Sequence, residues 1–193
     1  MQTGEQRWNR PLAVAPGHWK KQLSGKVLKI AASGDLAGLK ALLEAAPDSL
    51  NRRGNHGRTL LWEAVRSNKT EAVNFLLRAG ADPNLTGCYN SESHVQLTAY
   101  CAAVYYRRAD LAATLKGLGN DPDIFRQAFL GDEVSALQQV NADPALLAAV
   151  DPEDEIYYIP VLSFAVAGGH TGLIASLISK GAEVGLYLSL IHI

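Results

Sequence analysis

A chain of 193 residues, 48% apolar and 19% charged, has the material for a continuous buried core, and its formal net charge of −1 gives no global attraction to nucleic acid or an anionic membrane. It contains no apolar run of the roughly 18 residues that a membrane span needs, and its start, Met1 to Pro11, lacks the basic-then-apolar order of a secretory signal. Cys88 and Cys101 make no disulfide framework in a chain of this length and are predicted to be free thiols in a reducing cytoplasm.

Residues 1–23 carry Trp8, Pro11, Pro16, His18 and Trp19 in no clear period. They are expected to form an arm that caps the first helix pair, with a partner-binding segment as the alternative. Lys20, Lys21, Lys26 and Lys29 form a small basic cluster there, but without interleaved aromatic residues it reads as a solvated helix face.

From residue 24 onward the pattern repeats. The first copy has Gly34 followed by the apolar stripe Leu36, Leu39, Leu42 and Leu43. The second is the most complete: Gly57-Arg-Thr-Leu-Leu-Trp-Glu-Ala64, an apolar stripe of Ala72, Val73, Leu76 and Leu77, then Gly80-Ala-Asp-Pro-Asn84. Aligning Leu43 with Leu77 gives a period of 34 residues. A third copy carries Thr98, Ala103, Leu111 and Leu115 and closes on Gly119-Asn-Asp-Pro122, a step of 39 residues from Gly80. A degenerate fourth shows in Ala128, Gly131, Asp132 and Asp143-Pro144. The fifth runs through Leu162, Ala165, Gly169-His-Thr-Gly172, Leu177 and Gly181. Each stripe belongs to a helix pair that can bury it only against the next pair. Gly80, Gly119 and Gly181 fit left-handed positions that stop the second helix.

This unit resembles the ankyrin repeat, whose signature is Gly-x-Thr-Pro-Leu-His-x-Ala with a closing Gly-Ala-Asp-x-Asn. Gly57, Thr59, Leu61 and Ala64 match it, while Leu60 and Trp62 replace the Pro and His. The replacement removes the usual hydroxyl-to-imidazole bracing from Thr59. The resemblance covers roughly residues 24–184 and implies an all-α solenoid of about five stacked helix-turn-helix pairs with short β-hairpin fingers, residues 24–187 forming the repeat domain.

The family usually meets a protein partner on its concave side, through the fingers and the exposed end of each first helix. Carried over position by position, this places Arg66 and Ser67, Tyr105 and Tyr106, and Phe129 and Leu130 along the middle of the binding row. The composition of that row, Tyr105, Tyr106 and Phe129 beside Arg66, is that of an interface hot spot. An inward-turned Phe129 is the competing reading. The extra length before the third unit falls in residues 85–96, which singles out Tyr89, Asn90, Glu92 and His94, with Asn55, His56 and Arg58 of the preceding finger beside them.

Catalytic and metal readings are weaker. Cys88, His94 and Cys101 lack paired zinc-ligand spacing. Ser163 and His170 fall at opposite ends of one short helix. Gly168 to Gly172 has neither the preceding strand nor the following Lys of a phosphate cradle. Asp151 to Glu155, with Pro152 inside, reads as a solvated finger and not a calcium loop. No cofactor or metal is expected, and the chain is read as a monomeric, cytoplasmic protein-binding module with no activity of its own. The alternative is the targeting region of a larger enzyme or effector. Residues 188–193 depart from the repeat and resemble the translated mosaic-end adapter of transposase-prepared libraries, so they are set aside as a non-native tail beyond which the natural chain is expected to continue.

Overall fold

The computed structural model describes residues 22–90, 94–118, 122–153 and 158–184. The expected arm and tail lie outside these residues, except for Gln22 and Leu23. Leu23 is buried, and its amide donates to the Arg53 carbonyl (3.1 Å).

Five helix pairs follow one another: α1 (Gly25–Ser33) with α2 (Leu36–Ala45), α3 (Leu60–Arg66) with α4 (Thr70–Arg78), α5 (Ala99–Tyr105) with α6 (Ala109–Lys116), α7 (Ile124–Leu130) with α8 (Glu133–Ala142), and α9 (Val161–Gly168) with α10 (Thr171–Ser179). The first helices of four pairs start where a short polar side chain accepts a first-turn amide: Ser24 from Val27, Thr59 from Trp62, Thr98 from Cys101 and Asp123 from Arg126. All five first helices then end one or two residues before a left-handed residue: Gly34, Gly131 and Gly169 follow α1, α7 and α9 directly, and Asn68 and Arg107 follow α3 and α5 after one further residue. Gly80 and Gly181, as the sequence suggests, take positive φ after the second helices (92° and 101°). Gly119 is outside the described residues.

The first helices form one row, in which α1 packs on α3, α3 on α5, α5 on α7 and α7 on α9. The tightest approach is α7 to α9, where a Cβ on Gly168 would lie 2.2 Å from the Phe129 carbonyl oxygen, so no larger residue fits. His170 Nε2, 2.9 Å from the same oxygen, ties the turn of the fifth unit to the fourth.

The apolar interior falls into two cores. One gathers Leu39, Leu60, Leu61, Trp62, Leu76, Leu111 and Leu115 of the first three units. The other gathers Val95, Leu97, Cys101, Phe125, Phe129, Phe164 and Leu173 of the later ones. The division runs through α5, whose Ala102 and Ala103 face the first core and Cys101 the second. Between the third and fourth pairs a groove of about 420 Å³ opens, lined by Tyr100, Val104, Lys116, Pro122, Gln127 and Leu130 among others.

The connections depart from the expected row of hairpins. Among the described residues one antiparallel hairpin forms, β1 (Gly87–Cys88) with β2 (Gln96–Leu97), pairing Gly87 with Leu97 and Cys88 with Gln96. Elsewhere the chain turns through short 3₁₀ segments at Pro47–Ser49, Asn55–Gly57 and Pro144–Ala148, and through single bridges, Leu23 with Gly54 and Val150 with Pro160. The proline at the first 3₁₀ position after α2 and α8 lacks the N–H that continued strand pairing requires. No described helix is long and apolar enough to cross a membrane.

Candidate functional site

The candidate face is built from the ends of α3, α5 and α7 and the long connection between α4 and α5. Trp62 is fully buried in α3, and its Nε1 donates to the Leu97 carbonyl (2.9 Å). The residue that replaces the family's His therefore ties its unit to the next finger instead of to Thr59, whose hydroxyl caps the helix. The Arg58 guanidinium lies 4.7 Å from the Trp62 ring, its Nε donates to the Cys88 carbonyl (2.7 Å), and its Nη1 pairs with Glu63 (3.2 Å). Arg66 takes the other Glu63 oxygen through Nε and Nη2 (2.9 and 2.7 Å). A buried carboxylate is thus held between two arginines.

Beside this cluster stands a continuous aromatic stack. Tyr106 meets Trp62 edge-on, with ring centres 6.2 Å apart, and its hydroxyl donates to the Tyr89 carbonyl. Burial pushes the Tyr106 phenol up, against the pull of Arg58 and Arg66. Tyr105 lies 5.0 Å from Tyr106, 5.3 Å from Tyr89 and 5.2 Å from Phe129, and Tyr89 also contacts Phe129 at 5.2 Å. Edge-to-face and tilted pairs at such separations add about 0.5–1.5 kcal/mol each beyond area burial.

The structure sorts the candidate residues into two groups. Tyr105 is 43% exposed, Asn55 and His56 are exposed, and Arg66, Asn90 and His94 are partly covered. Phe129 is only 2% exposed and Tyr89 only 8%. Neither can be a free contact residue, because the long connection folds down onto α5 and α7 and lays Tyr89 over Phe129. Arg58 is likewise enclosed by Trp62 and Glu63, and Tyr106 is half-buried with its hydroxyl committed to the backbone. Glu92 lies outside the described residues.

A second polar cluster has no counterpart in the sequence reading. Asp151, expected in a solvated finger, is 1% exposed and receives both Arg126 Nη1 (2.7 Å) and Nη2 (2.8 Å). Asp123 adds a third bond to Arg126 (2.9 Å), and the Arg126 guanidinium sits 5.5 Å from the Phe164 ring. Burial raises the Asp151 carboxyl and the Arg126 pairing opposes it. Next to this pair Glu153 accepts from Arg53 (3.0 Å) and from the Thr86 hydroxyl (3.2 Å), while Arg53 also donates to the Thr86 carbonyl (3.0 Å) and Gln96 Nε2 donates to the Glu153 carbonyl (3.2 Å). The connection after the fourth unit is therefore clasped to the connections before the second and third. A cleft of about 180 Å³ lies among Asn84, Thr86, Thr98, Asp123, Arg126 and Glu153. No group of three or more His, Cys, Asp or Glu side chains among the described residues is arranged to hold a metal ion.

Comparison with known proteins bears on the second unit most directly. Residues 56–88 match the family model described as ankyrin repeat. Over 87 residues, 45% of this chain, the sequence is 36% identical to the NAD-capped RNA hydrolase NUDT12 of Homo sapiens, Pongo abelii and Macaca fascicularis. The chain spans only 18% of the length of those relatives. A solved structure described as the Bd0816 predatory endopeptidase from Bdellovibrio bacteriovorus in complex with immunity protein Bd3460 has a chain that aligns with a TM-score of 0.45 at 23% identity, covering 86% of each chain. The family match falls on the unit where Thr59 caps α3 and Trp62 locks it to the next finger, and the same helix, left-handed turn and helix recur in five stacked pairs: residues 56–88 are an ankyrin repeat within an all-α stack of units of that build.

Proposed function

We propose that residues 24–187 form a protein-interaction module that captures a partner on the face carrying Tyr105, with Arg66, Asn55, His56, Asn90 and His94 around it. The observation that carries this reading is the state of Tyr105. Its ring is exposed on one side and braced on the other by Tyr89, Tyr106 and Phe129, so a large amphipathic group is offered to a partner with little rotamer freedom left to lose. In this reading Tyr106, Tyr89, Phe129 and Arg58 support the anchor without touching the partner. The module acts as a cytoplasmic monomer that binds protein and neither nucleic acid nor membrane, and it carries out no chemistry itself.

The test is selection of a displayed peptide library on the immobilised chain, run beside Tyr105→Ala. Enrichment by the parent that disappears with Tyr105→Ala, at unchanged helicity and melting temperature, is the expected outcome. Tyr106→Ala should lower the melting temperature instead. If Tyr105→Ala melts as early as Tyr106→Ala, Tyr105 is a packing residue and the face is misplaced.

A second reading rests on the relatives named as NAD-capped RNA hydrolases: the repeats serve as the recognition part of a longer enzyme. It predicts that a natural reading frame runs on into non-repeat sequence.

A further inference from the structure

Five turns of one geometry join the first and second helices, and the residue at the left-handed position is Gly34, Asn68, Arg107, Gly131 or Gly169, with φ of 80°, 57°, 56°, 76° and 78°. Glycine takes this conformation freely and asparagine does so more readily than most residues; arginine does so against the clash of its Cβ with the backbone. The fold does not require arginine there, since Arg107 is exposed and forms no ion pair with the described residues. Arg108, next in the chain, donates through Nη2 to the Arg66 carbonyl (3.3 Å) and leaves its Nε buried with no hydrogen-bond partner. Two successive positions thus hold a cation where a neutral residue would fit with less strain or desolvation.

The surroundings share the sign. Tyr105 lies two residues before Arg107 and Arg66 at the equivalent end of α3. Around this end of the second and third units stand Arg66, Lys69, Arg107 and Arg108 against Glu63, Glu71 and Asp110, and Glu63 is already enclosed by Arg58 and Arg66. The local excess is positive in a chain whose net charge is −1.

We infer that the edge formed by Tyr105, Arg107, Arg108 and Arg66 binds a carboxylate-rich segment of a partner protein. Backbone strain retained at an exposed position points to a role for the side chain outside the fold. The guanidinium fork matches a carboxylate in shape and charge, and the braced tyrosine supplies the apolar anchor beside it. This rests on the proposed recognition role of the Tyr105 face and adds the chemistry of what it recognises.

The test uses the full chain and three short fluorescein-labelled Gly-Ser peptides carrying glutamates, lysines or no charged residue, with anisotropy as the readout. The glutamate peptide should bind at least about tenfold more tightly than the other two, and less tightly as salt is raised. Arg107→Gly with Arg108→Gln should weaken it roughly tenfold, whereas Lys26→Gln with Lys29→Gln should leave it unchanged. Arg107→Gly alone should keep the melting temperature or raise it by about 2–4 °C. Equal binding of the glutamate and uncharged peptides, or full affinity in the arginine variant, overturns the inference. So does a fall in the melting temperature of Arg107→Gly, because the arginine would then be structural. The recognition reading is tested separately, by library selection and melting of Tyr105→Ala, so the two failures are distinguishable.

Discussion

Removing the Asp151 carboxylate is the sharpest perturbation of the interior. Asp151→Ala strips two charge-assisted bonds, of 2.7 and 2.8 Å, from an Arg126 side chain that is 2% exposed. Asp123 remains within 2.9 Å, but its own side chain is 48% exposed and water-screened, so it cannot replace the lost charge. Leaving a buried cation without its main partner costs about 3–5 kcal/mol. The Glu153 amide, which donates to Asp151 Oδ1 (3.1 Å), loses its acceptor as well, for about 1 kcal/mol more. A total near 5 kcal/mol is a large part of the ~5–15 kcal/mol that holds a domain together and corresponds to a drop of about 10–20 °C in melting temperature for a chain of this size. Urea unfolding followed by circular dichroism measures it. The double replacement Arg126→Met with Asp151→Leu should recover most of the loss, since it removes both charges together. A cost below about 1 kcal/mol for Asp151→Ala, or a double variant as unstable as the sum of the singles, would show that water already reaches the pair.

Two further outcomes follow from the cores. Leu76→Ala, at a side chain with no exposed surface, should cost about 2–5 kcal/mol in the same assay, and Leu43→Ala, which is only partly buried, distinctly less; equal costs would contradict the described packing. Burial pushes the Cys101 thiol up to about 11 from an ordinary value near 9.0. The unfolded chain therefore releases this proton first, and stability should fall between about pH 9 and 11 by roughly 2–3 kcal/mol, a loss that Cys101→Ala removes. A pH profile shared by the parent and Cys101→Ala would refute this.

Much of the architecture could be read from short local signals. Thr59, Thr98 and Ser24 announce helix starts because a hydroxyl has one obvious amide to accept from, and Gly34, Gly131 and Gly169 announce turns because few other residues sit there without strain. The proposed face was legible only in outline. Tyr105 was placed by its offset from the turn, but the same offset marked Phe129, which is covered. What covers it is Tyr89 on the long connection, and no local periodicity encodes how an irregular connection folds back. The same limit hid the acidic segment. Asp151 beside Pro152 has the composition of a solvent-facing turn, and its partner Arg126 is 25 positions away on a helix face with no apparent need for a counter-ion. Arg107 breaks the glycine series of these turns, and the glycine spacing that marks the other units carries no signal for it.

The bond between Arg53 and Glu153 joins positions one hundred residues apart. In an idealised modular array any unit can be excised or duplicated and the remainder closes up, which is how such genes lengthen and shorten. Here the two ends of the clasp are spaced by a fixed number of intervening modules, so inserting or deleting one would carry Glu153 out of reach of Arg53, Thr86 and Gln96 together. The chain is in this respect a closed circuit and not a ladder: a change of module count between Arg53 and Glu153 would break this set of contacts, whereas one outside that span would leave it whole.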